Sequence, residues 1–299
     1  MEFAGRMCLT AAGSLAVAGA NAQTTPASAG TTLYQEARAA SAAGNYALAQ
    51  RKSEAACRLG SADACSLAAT WYNGGSPVMT VNAVKALPLY IRACELENKQ
   101  SSACEEAGKL LSGGNHGITR DNLRARTYFR RACDLSGSFG RGCEQFATLV
   151  RGEGGKDHAP LSRSYYMRAC EGYQTAGCLN AWLVNFAGWY GPKDLVKARS
   201  FAVRGCHDNA NKLGNQEQSE LCSAAAAMFR DGSGGAKDLR SSASFYKRAC
   251  EGGNAGGCEE LAGQYWEGEG VPMDQKAALI LLRRSCELGS TSACGHLKD

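Results

Sequence analysis

A pair of cysteines that recurs at a nearly constant interval is the feature that most constrains this chain. Phrases such as "RACEGYQTAGC" and "RACEGGNAGGC" return with small changes along the sequence. Steps of 36 to 39 residues, and one of 44, separate the first cysteines of the pairs. These first cysteines are Cys57, Cys94, Cys133, Cys170, Cys206, Cys250 and Cys286. A fixed period in this range predicts a solenoid, in which each repeat packs on its neighbours.

Each repeat carries the signals of two helices. After the second cysteine, apolar residues follow at three- and four-residue spacing, as in "CEELAGQYW" from Cys258. Glycines then end this first helix, and an acidic residue in the next loop caps the second helix. The expected caps are Asp121, Asp157, Asp194, Asp238 and Asp274. Because the second helix ends at the next cysteine, the sequence predicts an all-α solenoid of about seven helix pairs.

Residue size follows a rule when positions are counted back from the first cysteine. The residues eight and one before it are small, which lets helix backbones approach closely. The residue five before it is bulky, except for Lys52 in the first repeat, where a polar residue suits a terminal capping repeat. The bulky residues are Leu89, Tyr128, Tyr165, Phe201, Phe245 and Leu281. The aromatic residues four before it either complete the core or line a groove: Tyr90, Phe129, Tyr166 and Tyr246.

Fourteen of the 15 cysteines fall into close pairs. Zinc sites prefer two to four residues between cysteines, a spacing that these pairs never show, so we predict disulfides and neither a metal nor a cofactor. Along one helix the paired cysteines would lie about 12 Å apart, so the helix has to break between them for the sulfurs to meet. The predicted bridges are Cys57–Cys65, Cys94–Cys104, Cys133–Cys143, Cys170–Cys178, Cys206–Cys222, Cys250–Cys258 and Cys286–Cys294.

The N-terminal residues have the pattern of an export signal. A short apolar stretch, "MCLTAAGSLAVAG", precedes the small-x-small sequence that ends at Ala22. We therefore predict a signal peptide over 1–22, a flexible linker over 23–31 and one solenoid domain over 32–299, in the periplasm or outside the cell. No other segment approaches 18 apolar residues, so no membrane span is expected. A net charge of +5 without a long basic run disfavours nucleic acid as a partner.

This pattern resembles the Sel1-like repeat proteins, in the cysteine-rich branch typified by the Helicobacter cysteine-rich proteins. The segments "YYMRACEGYQTAGC" (165–178) and "FYKRACEGGNAGGCEELAGQYWEGEGVPMDQKAALILLRRSCELG" (245–289) carry the resemblance, which covers nearly all of the chain from Thr32. It implies an α/α superhelical solenoid, related to TPR arrays, whose concave face binds proteins or peptides. Some cysteine-rich members are also described as penicillin-binding or weakly β-lactam-hydrolysing.

Two departures from the family pattern stand in adjacent repeats. The loop of Cys206–Cys222, "HDNANKLGNQEQSEL" (207–221), is about eight residues longer than its counterparts. The unit "CLNAWLVNFAGWYGPKD" lacks the usual Gly-x-Gly and holds Phe186 and three candidate contact residues, which are Trp182, Trp189 and Tyr190. We expect a specialised contact surface here, although divergence in an array also marks mere tolerance to change.

Catalytic motifs are weak in this chain. Ser244-Phe-Tyr-Lys247 matches the serine–lysine element of a β-lactamase, but the S-D-N and K-T-G elements are absent. Ser244 also lies on the second helix of an ordinary repeat, which favours a surface serine. Paired cysteines are no nucleophiles, and no Cys-x-x-Cys-His motif supports a haem-handling role like that of the related cytochrome oxidase assembly factor. We predict no catalytic residues, with β-lactam binding or hydrolysis as the alternative.

An arginine stands two positions before the first cysteine in six successive units. An acidic residue follows the cysteine in five of these units, which predicts i, i+3 ion pairs on a solvated helix end. The alternative is a ladder that binds an acidic or carboxylate-bearing partner across several repeats. This arginine row is Arg92, Arg131, Arg168, Arg204, Arg248 and Arg284. The sequence as a whole predicts a monomeric, non-catalytic scaffold that binds a protein or peptide of unknown identity.

Overall fold

The computed structural model describes residues 25–75, 80–96, 101–114, 116–136, 141–153, 158–172, 175–207 and 216–297. All regular structure in these ranges is helical. The first helices of successive units are α1 (Pro26–Ala42), α3 (Ala62–Thr70), α5 (Ser101–Gly113), α7 (Gly142–Glu153), α9 (Thr175–Phe186), α11 (Gln216–Asp231), α13 (Ala255–Glu267) and α15 (Thr291–His296). The second helices are α2 (Tyr46–Arg58), α4 (Ala83–Glu95), α6 (Asn122–Ser136), α8 (His158–Glu171), α10 (Leu195–Cys206), α12 (Leu239–Glu251) and α14 (Gln275–Glu287). A π-helical turn, Trp71–Gly75, extends α3.

The helices form a solenoid of antiparallel hairpins. Each first helix packs on the second helix of its own pair, and each second helix packs on the first helix of the next pair. On one side of the array, α5, α7 and α9 each contact the next first helix. The all-α solenoid predicted from the cysteine period is therefore confirmed, with seven pairs and one further helix among the described residues.

The predicted caps lie at the starts of the second helices. The carboxylate of Asp121 accepts a hydrogen bond from the backbone N–H of Arg124 at 3.0 Å, and Asp194, Asp238 and Asp274 cap α10, α12 and α14 in the same way. Asp157 lies outside the described residues. Asn45 and Asn82 cap α2 and α4, a role that their amide oxygens share with a carboxylate.

The core is built from the small and aromatic positions of the repeat. Every residue eight before the first cysteine is fully buried, from Ala49 to Ala278. The aromatic residues four before it are also buried, so they complete the core rather than line a groove: Tyr90, Phe129, Tyr166 and Tyr246. The bulky position five before it is buried less deeply: Leu89, Tyr128 and Tyr165 are half-buried, whereas Phe201 and Phe245 are buried. One residue of offset rotates a side chain by about 100° around the helix, which separates the two positions.

The boundary of the array differs from the prediction. Helix α1 begins at Pro26, with Thr25 as its N-cap, inside the stretch 23–31 that the sequence predicted as a flexible linker. Gly30 is buried against the end of α2, and a Cβ built on it would lie 3.4 Å from Cβ of Leu59. This stretch therefore packs as part of the solenoid. The predicted signal peptide, 1–22, lies outside the described residues.

All seven predicted cysteine pairs lie at disulfide distance. Their Cα atoms are 4.2 to 4.8 Å apart, and each pair joins the end of one second helix to the following first helix. The helix breaks between the two cysteines of each pair, which brings them together. Along one continuous helix they would lie about 12 Å apart. Among the described helices, none is both long and apolar enough to cross a bilayer.

Candidate functional site

At five of its six positions, the arginine row connects a repeat to the one before it. From the second helix of one unit, the guanidinium donates to a backbone carbonyl at the C-terminal end of the preceding second helix. These contacts are Arg92 to Arg58 O (3.2 Å), Arg131 to Glu95 O (3.3 Å), Arg168 to Cys133 O (3.1 Å), Arg248 to Cys206 O (2.9 Å) and Arg284 to Glu251 O (3.4 Å). The last carbonyls of a helix lack partners within the helix, so the row satisfies them from the neighbouring repeat.

This arrangement corrects the predicted ion pairs. In the part of the chain that the structure describes, no arginine of the row forms a salt bridge with the acidic residue three positions after it. Arg168 instead pairs with Asp134 of the preceding unit, with 2.7 Å between Nη1 and Oδ1. The partner changes because the guanidinium reaches across to the adjacent helix end, where carbonyls and the carboxylate lie together. The row therefore sets the register between repeats and holds its guanidinium groups in fixed positions.

At Arg248 the row meets an imidazole instead of a carboxylate. Nη1 of Arg248 lies 3.3 Å from Nδ1 of His207, the residue that follows Cys206 at the end of α10. The His207 ring also contacts the Phe245 ring edge-on, at 5.4 Å between centroids. Burial, and then the positive charge of Arg248, lower the pKa of His207 below its usual value. At neutral pH the imidazole is therefore uncharged and leaves the charge of Arg248 in place.

A groove of about 530 Å³ runs along α10, and we call it the α10 groove. Its lining residues are Val196, Arg199, Ser200, Val203, Arg204, His207 and Phe229. The Phe229 ring stacks on Phe245 at 5.3 Å, and the Arg199 guanidinium lies 3.5 Å from the Phe229 centroid. These ring contacts fix an apolar floor beneath basic side chains.

A second groove, of about 500 Å³, lies between α2 and α4, and we call it the α4 groove. Its apolar part is formed by Pro88, Leu89 and Ile91, and its basic side chains are Arg58 and Arg92. Two carboxylates, Glu54 and Glu95, also line it. The α4 groove thus carries two basic and two acidic side chains, so its charge is balanced.

The predicted aromatic cluster is divided between core and surface. Trp182 is half-buried and stacks on Phe186, with 5.3 Å between ring centroids. Trp189 lies in the loop before α10 and is 49% exposed. Tyr190 has φ of +64°, an unusual value for a residue with a side chain, and lines a groove between α8 and α10. A contact surface that includes these three residues stays a prediction.

One arginine that the sequence analysis did not select holds this divergent loop. Nη1 of Arg163 donates to the carbonyl of Pro192 at 2.9 Å, and Nη2 donates to Oδ1 of Asn185 at 2.6 Å. Asn185 is fully buried and donates in turn to the carbonyl of Ala181. Because Arg163 is seven residues before the first cysteine, in the same place as Arg199, this second repeat position could have revealed it.

Carboxylates gather on the side of the first helices. Glu144 on α7 lies close enough to Glu217 on α11 and Glu105 on α5 for their charges to act on it. Burial, and then Glu217, raise the pKa of Glu144, and Arg141 partly opposes this rise. These three carboxylates belong to first helices of three different units, opposite in sign to the arginine row on the second helices.

The candidate catalytic residues are surface side chains. Ser244 and Lys247 are both exposed on α12, and no hydrogen bond joins them in the described structure. Every cysteine among the described residues lies at disulfide distance from its partner, and the same residues contain no group of three His, Cys, Asp or Glu side chains placed to hold a metal ion.

Comparison with protein families identifies the repeat. The Sel1 repeat matches residues 53–98, 101–137, 219–254 and 256–290, slightly more than half of the chain. The chain belongs to the Sel1 repeat family. Between the second and third matched stretches, α7 to α10 continue the same hairpins, so the solenoid is uninterrupted where the Sel1 sequence pattern is not matched. No curated protein matches the sequence.

Two solved structures, of c5321 and of a Sel1 repeat protein from Oxalobacter formigenes, share the fold. The protein c5321 of uropathogenic Escherichia coli, a protective antigen with an SLR fold, superposes with a TM-score of 0.72 at 21% identity, over 88% of this chain and 55% of that one. A Sel1 repeat protein from Oxalobacter formigenes gives 0.55 at 20% identity, over 87% and 96%. The Helicobacter pylori cysteine rich protein B is 28% identical over 48% of this chain and 98% of its own, with a TM-score of 0.37. The chain thus spans about half the length of c5321.

Proposed function

We propose that this Sel1 repeat protein is a non-catalytic scaffold that binds a protein or peptide on the concave face of its solenoid, in the periplasm or outside the cell. The observation that carries the proposal is the regular stapling of the array. Each described unit is joined to the next by a cysteine pair at disulfide distance, which favours an oxidising compartment. A stapled array offers a partner a surface that is already ordered, so binding costs little conformational entropy.

The side of the first helices supports the choice of face. Consecutive contacts from α5 to α11 bring the first helices close together, as expected on the inner side of a curved array. The approach of Glu105, Glu144 and Glu217, from three different helices, means that one ligand can reach side chains of several units at once. Sel1 repeats commonly mediate protein interactions, which agrees with this use of the surface.

Site-specific photo-crosslinking in the cell envelope tests the proposal. A photoreactive residue replaces Thr148, which is exposed on the first helix α7, and the matched control replaces Lys247, which is exposed on the second helix α12. We expect a discrete adduct from position 148 and none from position 247 in the fraction that contains the oxidised protein. A protein that stays reduced in the cytoplasm would contradict the proposed compartment. An oxidised, exported protein without adducts from the first helices would contradict the proposed face.

A further inference from the structure

One exposed position of the repeat changes its character on α14. The residue six before the first cysteine is exposed on each of the second helices from α2 to α14. On the first six of these helices it is charged, polar or a proline: Arg51, Pro88, Thr127, Ser164, Ser200 and Ser244. On α14 it is Ile280, which is 66% exposed. A large aliphatic side chain thus lies where the rest of the array keeps a well-solvated residue.

Neighbouring side chains extend this apolar surface. Met273, thirteen positions before the cysteine, is 65% exposed, whereas the two preceding units have Lys193 and Lys237 at that position. Leu279 is also exposed and, with Trp266 of α13, borders a groove of about 370 Å³. We call Trp266, Met273, Leu279 and Ile280 the α14 face. Exposed apolar surface of this kind marks an interaction site.

The following first helix covers α14 only in part. Helix α13 has 13 residues and packs on α12, where Tyr246 is fully buried. Helix α15 has 6 residues and packs on α14, where Leu282 stands at the position of Tyr246 and is only half-buried. The shorter helix thus leaves apolar side chains of α14 accessible to another surface.

The two ends of the described array differ in polarity. A terminal unit of a solenoid needs a polar outer face to stay soluble, unless another surface covers it. The first helix, α1, meets this need, because it exposes Thr31, Gln35 and Arg38. The α14 face does not. A partner for the α14 face therefore has to supply apolar surface, which α1 does not offer.

The charges on α14 make the helix complementary to itself. Lys276 lies in its first turn and Glu287 is its last residue, and both are exposed. These two residues share one stripe of the helix with Ile280 and Arg283, because three or four residues separate successive members. Lys276 and Glu287 are equally far from the midpoint between residues 281 and 282. In an antiparallel pair of α14 helices, Lys276 of each copy therefore meets Glu287 of the other.

We propose that the α14 face is the contact of a two-fold symmetric dimer, in which two copies of this chain pack their α14 helices antiparallel. Ile280 of each copy packs beside the aliphatic stem of Arg283 of the other, and two Lys276–Glu287 pairs flank this apolar centre. The inference does not depend on the proposed binding function, and it replaces the monomer expected from the sequence. A contact that uses the same surface on both copies closes after two subunits.

Sedimentation velocity of the oxidised, full chain over a wide range of protein concentrations tests this inference. We expect a dimer that dissociates on dilution. Ile280→Ser should raise its Kd about a hundredfold, because the two-fold axis buries this side chain twice. Thermal stability of the subunit should not fall, since three other units carry serine at this exposed position. The matched control is Leu123→Ser, which removes a side chain that is 69% exposed on α6 and should leave the Kd unchanged.

Charge reversal tests the antiparallel arrangement. Lys276→Glu places carboxylates opposite Glu287 at two symmetric points, so we expect the Kd to rise about tenfold, at about threefold for each exposed pair. The double variant Lys276→Glu/Glu287→Lys restores both pairs and should restore the affinity. Both substitutions suit the helix dipole, with an acid in the first turn and a base in the last. A weaker dimer in the single variant therefore does not come from a weaker helix.

Four outcomes would overturn the inference. The first is a chain that stays monomeric at every concentration. The second is a dimer whose Kd neither Ile280→Ser nor Lys276→Glu raises, since the contact would then lie elsewhere. The third is a double charge variant that binds no better than Lys276→Glu, which would reject the antiparallel pairing. The fourth is an assembly larger than a dimer that Ile280→Ser dissolves, because a head-to-tail contact grows beyond two copies.

Discussion

Replacing Gly108 by alanine tests the close packing between α5 and α6 directly. Gly108 lies on α5 against the ring of Phe129 on α6, and a Cβ built at Gly108 would be 2.7 Å from ring atoms Cδ1 and Cε1. Real Cβ atoms essentially never approach other atoms so closely, so the ring has to move. Phe129 is fully buried and packs with Leu111, Phe146 and Val150, which leaves it no free space.

The expected size of the effect follows from two opposing terms. Overpacking a well-filled core costs typically 1–3 kcal/mol. Alanine is favoured over glycine inside a helix by about 1 kcal/mol, which offsets part of that cost. The net loss of unfolding free energy for Gly108→Ala is therefore about 1 kcal/mol. Gly263 on α13 is a matched control, because a Cβ there meets nothing within 4 Å. Gly263→Ala gains the helix preference of alanine without a steric cost, so it should stabilise the protein by about 1 kcal/mol.

Urea unfolding of both variants, followed by the helical circular dichroism signal, measures the difference. We expect the unfolding free energies of the two variants to differ by about 2 kcal/mol. Both variants gain the same helix preference of alanine, so the difference is the steric cost at position 108. Phe129→Leu makes room at the contact, so Gly108→Ala should cost less in that background than in the native chain. Equal stability of the two alanine variants, or no coupling between positions 108 and 129, would refute the packing argument.

Three further expectations can be measured on the same protein. Removing the Cys206–Cys222 pair should cost about 0.6 kcal/mol more than removing Cys250–Cys258 in urea unfolding, because the separations of 16 and 8 residues close loops of different length and all four cysteines are buried alike; equal losses would contradict the loop-entropy account. Burial raises the pKa of Tyr246 to about 12, so the folded chain keeps this proton when the unfolded chain releases it, and stability should fall as pH rises from about 10 towards 12. An absorbance titration should show one tyrosine that ionises at higher pH than the others, and Tyr246→Phe should remove that step. A step that is unchanged in the variant would belong to another tyrosine. Chromogenic β-lactam turnover should stay at the buffer rate, and turnover abolished by Ser244→Ala would show that α12 carries a catalytic serine.

Local and periodic features were predictable from the sequence. The cysteine period gave the repeat, and each pair had to be bridged across a helix break because one continuous helix would keep the sulfurs too far apart. Asp121, Asp194, Asp238 and Asp274 cap helices by contacting N–H groups three residues ahead, a contact that depends on local chain geometry alone. The start of α1 was not predicted because the sequence "PASAG" is typical of a flexible linker. The packing of Gly30 against α2 stabilises this segment as a helix.

Contacts between repeats required the tertiary structure. The arginine row was visible in the sequence, but Arg168 could be expected to meet Glu171 on its own helix or a group elsewhere, and spacing along one helix does not choose between them. The neighbouring helix end offers both a carbonyl and Asp134, so the contact forms there. For the same reason Arg163, which holds the loop before α10, was not selected from its sequence.

The sequence by itself thus determined the hairpin, its caps, its cysteine pairs and the number of units, because these depend on spacing within about 40 residues of chain. Only the tertiary structure decided which side chains meet across units. It buried the aromatic position four before the cysteine more deeply than the position five before it, and it placed His207 beside Arg248, 41 residues away. The rotation and distance between neighbouring helices decide such contacts, and neither is written in the period of one repeat.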